Sequence, residues 1–160
     1  MTKLRRAVSG WWDDLISIPW SNYPGQVLLR MPISPGSWVI NAKAVLVAHV
    51  DTHGVAGCRI VAGADTDRAQ VHFIDPDDNS APLRNFNGHS VSLQVVHTFT
   101  SHSSVIFQCW GQTKKSDFHT YEDGDKVRHT GAKISVTAEN IKITAVEVDQ
   151  LTNAPLKRVQ

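Results

Sequence analysis

Trp38-Val-Ile-Asn-Ala-Lys-Ala-Val-Leu-Val-Ala-His-Val50 is a long run rich in β-branched residues, introduced by Ser34-Pro35-Gly36 and closed by Asp51-Thr-His-Gly54. A second run, Cys58-Arg-Ile-Val-Ala62, follows at once. Such side chains fit a pleated, half-buried surface, and two runs across a Gly/Asp-containing break predict an antiparallel pair. Working outward, 68–74, 90–99, 104–110, 133–138 and 141–148 repeat the pattern, with turn clusters at 63–67, 75–82, 85–88 and 101–104. Short strands at this spacing, with no helix between them, predict an all-β fold: an antiparallel β-sandwich, jelly-roll-like, over residues 33–149. Period-two alternation turns Ile40, Ala42, Leu46, Ile60, Val71, Phe73, Leu93, Val95, Phe107, Ile134, Val136, Ile143 and Val146 inward.

Ahead of the sandwich, residues 1–32 read as an arm and lead-in. Leu4, Val8, Trp11, Trp12, Leu15 and Ile16 recur at helical spacing and predict an N-terminal amphipathic helix ending at Pro19. Either that stripe packs on the outside of its own sandwich, or Trp11, Trp12, Leu15 and Ile16 dock into a neighbouring subunit, where Trp is a favoured anchor. Residues 111–131 are long, polar and aperiodic, which predicts a displayed loop. With Trp110 at its base and Phe118 and Tyr121 within it, this loop is a candidate ligand-binding element. Residues 150–160 read as a C-terminal tail.

A chain of 160 residues is long enough for one domain with its own core. Its net charge of +1 argues against nucleic acid as a partner, because such binders carry a clustered basic excess. No run of 18 apolar residues is present, so no spanning helix is expected. Lys3, Arg5 and Arg6 precede an apolar stretch that Gly10 and Asp13-Asp14 interrupt, and no small-residue cleavage site follows. No signal peptide is therefore expected, and synthesis in the cytoplasm is compatible with later association with a particle.

The chemistry-bearing residues form no reaction signature. Cys58 and Cys109 both fall on inward positions, where a disulfide and two buried thiols are equally compatible with the pattern. His49 and His53 would lie about 13 Å apart on a strand, too far for one zinc ion. Asp75, Asp77 and Asn79 place oxygens at alternate positions, as a calcium site does, with Asp65 and Asp67 in the preceding turn. The glycine and terminal glutamate of an EF-hand are missing there, and a solvated turn is the expectation. No nucleophile elbow or phosphate-cradling glycine loop occurs. No cofactor is expected.

Ser34-Pro-Gly-Ser-Trp-Val-Ile-Asn-Ala-Lys-Ala-Val, Gly57-Cys-Arg-Ile-Val-Ala-Gly, Val95-Val-His-Thr-Phe-Thr and Asn140-Ile-Lys-Ile-Thr-Ala-Val resemble a family of uncharacterised bacterial β-sandwich domains across residues 33–148. In that family a Pro-Gly-aromatic turn opens a long strand, and two Cys-bearing strands follow. The Pro-Gly-Ser-Trp-Val opening is also similar to the Gly-x-Tyr-x-Val strand of C1q- and tumour-necrosis-factor-like jelly rolls. That resemblance implies trimers that bind partners without catalysis.

The leading expectation is a non-enzymatic structural or binding module with a protein partner. It would form a homo-oligomer or join a larger assembly, such as a phage or other particle. A carbohydrate- or small-ligand-binding domain is the alternative, and a jelly-roll hydrolase is a distant third.

Overall fold

A computed structural model describes residues 6–48, 52–73, 87–120 and 126–149. Its elements are β1 (Ala7–Trp12), β2 (Ile16–Ile18), β3 (Ser21–Ile33), β4 (Gly36–Ala48), β5 (Thr52–Ala62), β6 (Asp65–Phe73), β7 (Asn87–Phe99), β8 (Ser103–Thr120), β9 (Lys126–Ile134) and β10 (Val136–Val148). They make two five-stranded antiparallel sheets. The first runs β1-β10-β4-β7 with β2 also on β10; the second runs β3-β8-β5-β6 with β9 also on β8. The molecule is a β-sandwich, and among the described residues no helix is long and apolar enough to cross a membrane.

Alternation builds the core. In β4 the even residues Trp38, Ile40, Ala42, Ala44 and Leu46 are buried, and they meet Cys58, Ile60, Val105, Phe107 and Cys109 of the other sheet in one cluster. Cys58 and Cys109 sit directly opposite each other on β5 and β8, with Cα atoms 4.0 Å apart, and their sulfurs are bonded. Of the alternatives the sequence left open, the bridged pair is the one seen.

Three sequence expectations need correction. The first is the N-terminal helix. Residues 7–12 and 16–18 are strands, laid in turn along one edge of β10, with Trp11 opposite Lys142 and Ser17 opposite Thr137. The helical stripe does not exist as a face: Val8 and Ile16 pack against the core, whereas Trp11 and Leu15 stand in solvent. An open sheet edge supplies hydrogen bonds that a short helix broken by Gly10 would have to make alone. Residues 21–33, read as a lead-in holding one edge strand, form a thirteen-residue edge strand of the second sheet.

The second correction concerns 111–131. Residues 111–120 continue β8 and 126–131 belong to β9, paired from Thr113↔Ile134 to Thr120↔Lys126. The stretch is a two-stranded extension rather than a loop. Polar composition hid it, because 111–131 carry no apolar residues at alternate positions to mark a strand. Residues 121–125 lie outside the described residues.

The third is Val146, which is 42% exposed. Ala138 points inward, and so do Ile141, Ile143 and Ala145, so the alternation changes phase between them. The register against β4 shifts between Glu139 and Lys142, and Asn140 there adopts φ 50°. A bulge with its hinge residue in the left-handed region moves every later side chain of β10 to the opposite face. Val71 and Ile134 are only partly buried; the other ten positions expected inward are buried.

One end of the sandwich is closed by charge. Glu147 points inward, opposite Trp38, and is 8% exposed. Arg6 reaches it with Nε to Oε2 at 2.7 Å and Nη2 to Oε1 at 2.6 Å, and its guanidinium lies over the Trp38 ring. Hydrogen bonding to Glu147 holds the Arg6 pKa above its ordinary value. The same guanidinium donates to Ser34 Oγ and to the Pro35 carbonyl, tying the chain start to the β3–β4 turn.

Two stability outcomes follow. Reducing the disulfide, whose cysteines are separated by 51 positions, should lower unfolding free energy by about 2–4 kcal/mol in denaturant titrations. Asn140→Val should cost about 1–2 kcal/mol, because a β-branched residue resists the left-handed region, while Asn140→Gly should be close to neutral.

Candidate functional site

The outer face of the first sheet is the candidate site, and register assembles it row by row. Trp11, Lys142, Lys43 and Ser92 form one row across β1, β10, β4 and β7. Ser9, Thr144, Asn41 and Gln94 form the next, in which Gln94 Nε2 donates to Asn41 Oδ1 at 2.8 Å. Ala7, Val146, Val39 and Val96 form the third, which is apolar. A shallow cavity of about 300 Å³ lies over the first two rows, lined by Asn41, Lys43, Ser92, Lys142 and Thr144.

The β1–β2 edge supplies the apolar anchor. Trp11 is 69% exposed, Leu15 64% and Trp12 43%. Between them Asp13 and Asp14 stand exposed in the link from β1 to β2. Large apolar side chains grouped on a sheet edge are unusual on a surface with no partner. Lys43 and Lys142 are directly opposed like charges, a pairing that costs a sheet stability. Neither has an ion-pair partner among the described residues. The row therefore presents a tryptophan beside two bare cations, and two exposed acids follow it in the β1–β2 link.

Of the four residues expected to dock, Trp11, Trp12 and Leu15 are exposed along this edge, Trp11 on the outer face beside Lys142 and Trp12 on the side of the inward Ile141. Ile16 turns toward the core. The lysines were not legible in the sequence, because only the β4–β10 register sets Lys43 beside Lys142.

The expected ligand-binding aromatics are placed differently. Trp110 is 5% exposed, lies over Gly57 on the neighbouring strand, and receives Tyr23 edge-on with ring centroids 5.1 Å apart. It offers no open face to a ligand. Phe118 lies on β8, but its side chain and all of Tyr121 fall outside what the structure describes. The calcium candidates Asp75, Asp77 and Asn79, and His49, are also outside the described residues. Asp65 and Asp67, weighed with them as further ligands, are otherwise engaged. Asp65 Oδ2 lies 2.7 Å from His97 Nδ1, and Asp67 accepts the backbone N–H groups of Arg68 and Gln94. Among the described residues no three metal-ligating side chains converge.

The chain matches no protein-family model and no curated protein sequence.

The Trp110 arrangement can be tested directly. A Cβ built on Gly57 would overlap the Trp110 ring and approach the Ala69 carbonyl at 2.6 Å. Gly57→Ala should therefore displace the indole, shift tryptophan fluorescence and cost about 1–3 kcal/mol of stability. Unchanged emission and unchanged stability would show that Trp110 is not held in this way.

Proposed function

We propose that this chain is a non-enzymatic jelly-roll module that self-associates, serving as a structural or binding component of a larger assembly such as a phage or other particle. The strand order supports the jelly-roll part. With the short β2 and the extension β9 set aside, the first strand lies beside the last (β1–β10), and the second beside the next to last (β3–β8). That wrapped order is the double Greek key of jelly rolls. The resemblance to C1q- and tumour-necrosis-factor-like jelly rolls, which form trimers, agrees with association between copies.

The observation that carries the reading is the exposed Trp11–Leu15 edge beside the Lys142–Lys43 pair. A buried aromatic anchor with complementary charge around it is the common plan of a protein interface. Trp11 supplies the anchor, and Asp13 and Asp14 of one copy match the lysines of another. Because both signs occur on one surface, a second copy satisfies it without a foreign partner. The docking element is thus a pinned edge strand, already ordered before association, so little chain entropy is lost on binding.

Sedimentation equilibrium of the full chain should give a mass that is a multiple of the single chain's. Trp11→Ser combined with Leu15→Ser should weaken association by about tenfold or more, with unfolding unchanged because both side chains are exposed. Lys142→Glu should also weaken it, and adding Asp13→Lys and Asp14→Lys should restore it. A single-chain mass for the wild type at every concentration would sink the proposal.

A further inference from the structure

The outer face of the second sheet carries charge of one sign. Val27, Gln108, Arg59 and Arg68 form a row across β3, β8, β5 and β6. Arg30, Ile106, Val61 and Thr66 form the row on one side, and Trp110, Gly57 and Gln70 lie on the other. Strands β3 and β5 contain no Asp or Glu, and neither does β8 from 103 to 114. The two acids of β6 are committed elsewhere: Asp65 to His97, and Asp67 to two backbone N–H groups. Among the described residues, no carboxylate on this face answers the arginines.

Arg59 and Arg68 are directly opposed, so their like charges oppose the pairing of β5 with β6. Both guanidinium carbons also lie over one ring, Tyr23, at 5.3 and 5.4 Å from its centroid. Arg59 is held in place, donating from Nε to Gln108 Oε1 at 2.7 Å and from Nη1 to the Tyr23 hydroxyl at 3.2 Å. Those bonds leave Nη2 without a protein partner among the described residues, and they leave the Gln108 amide nitrogen available as a donor. Tyr23 is itself braced by Trp110. The buried tryptophan therefore backs the Tyr23 ring that both arginines share, which explains a position that sequence reading took for a ligand contact.

The geometry points to an anion-binding site on this face, in which Arg59 and Arg68 take the carboxylate or sulfate group of an acidic saccharide. Guanidinium forks match planar and tetrahedral oxyanions through paired N–H donors. The amides of Gln108 and Gln70 lie beside them for sugar hydroxyls. A nucleic acid fits less well. Trp110 is buried, and at Tyr23, which is 45% exposed, a base would compete with the two guanidinia that already lie over the ring. The site is separate from the Trp11 edge and does not depend on self-association.

Titration calorimetry of the full chain with two probes tests it: an oligogalacturonate for carboxylate and a heparin-derived hexasaccharide for sulfate. At least one should bind, and Arg68→Gln should weaken that binding by about tenfold. Arg68 is exposed, so a melting temperature equal to that of the wild type is expected and shows that the fold is intact. Arg68→Lys should also bind more weakly than wild type, because it keeps the charge and loses the fork. The Trp11→Ser, Leu15→Ser variant should bind as the wild type does. Failure of both probes would overturn the proposal, as would equal binding of a neutral dextran oligomer or of a single-stranded oligonucleotide. So would affinity unchanged in Arg68→Gln.

Discussion

The fold depends on burying one face of each sheet against the other, and β4 is the strand on which that condition falls hardest. It is bonded along both edges, to β10 and to β7, and every even residue from Trp38 to Leu46 enters the core. Shifting it by one residue would bring Asn41 and Lys43 inside and put Trp38, Ile40 and Leu46 in water. Burying a lysine without a partner and exposing that apolar area are each costly enough to exclude the alternative register. β7 and β10 take their register from β4. The disulfide pins β5 to β8 in the opposite sheet at the same depth.

The closure at Glu147 links this core to the surface that the proposed function uses. An inward carboxylate is tolerable only with a partner, and Arg6 supplies two charge-assisted hydrogen bonds just before β1 begins. The backbone N–H of Glu147 also donates to the Arg6 carbonyl. Together these bonds start β1 in register with β10. That register is what sets Trp11 across from Lys142 and leaves Asp13 and Asp14 in the link that follows. At the other side of the same inward row, His97 faces Trp38 and is held by Asp65. One end of the sandwich is thus closed by ionisable groups in pairs.

The two outer faces differ in kind. The first combines an apolar row, bare lysines and nearby acids around an exposed tryptophan, the mixture on which the proposed self-association rests. The second is cationic and amide-rich, with its aromatics turned into supports for arginines. A net charge of +1 conceals this division, because Asp13 and Asp14 lie at the edge of the first sheet, while Arg30, Arg59 and Arg68 lie on the outer face of the second.

Alternation over 38–62 and its repeats determined by itself that the chain is all-β, which residues of β4, β5, β7 and β8 are buried, and that Cys58 and Cys109 point into one core. These are local consequences of a two-residue period, readable wherever one face must be apolar. The signal misled where that requirement lapsed. Residues 7–18 lie on a sheet edge, and 111–131 pair as strands despite a polar sequence, so neither displays the pattern of its true structure. Val146 was misplaced because one left-handed residue, Asn140, resets the phase without altering composition. Only tertiary structure decided the disulfide, the opposition of Lys43 to Lys142, and the meeting of Arg59, Arg68 and Tyr23. Each of these joins segments far apart in the chain, and strand register, which brings them together, is a property of the whole sandwich.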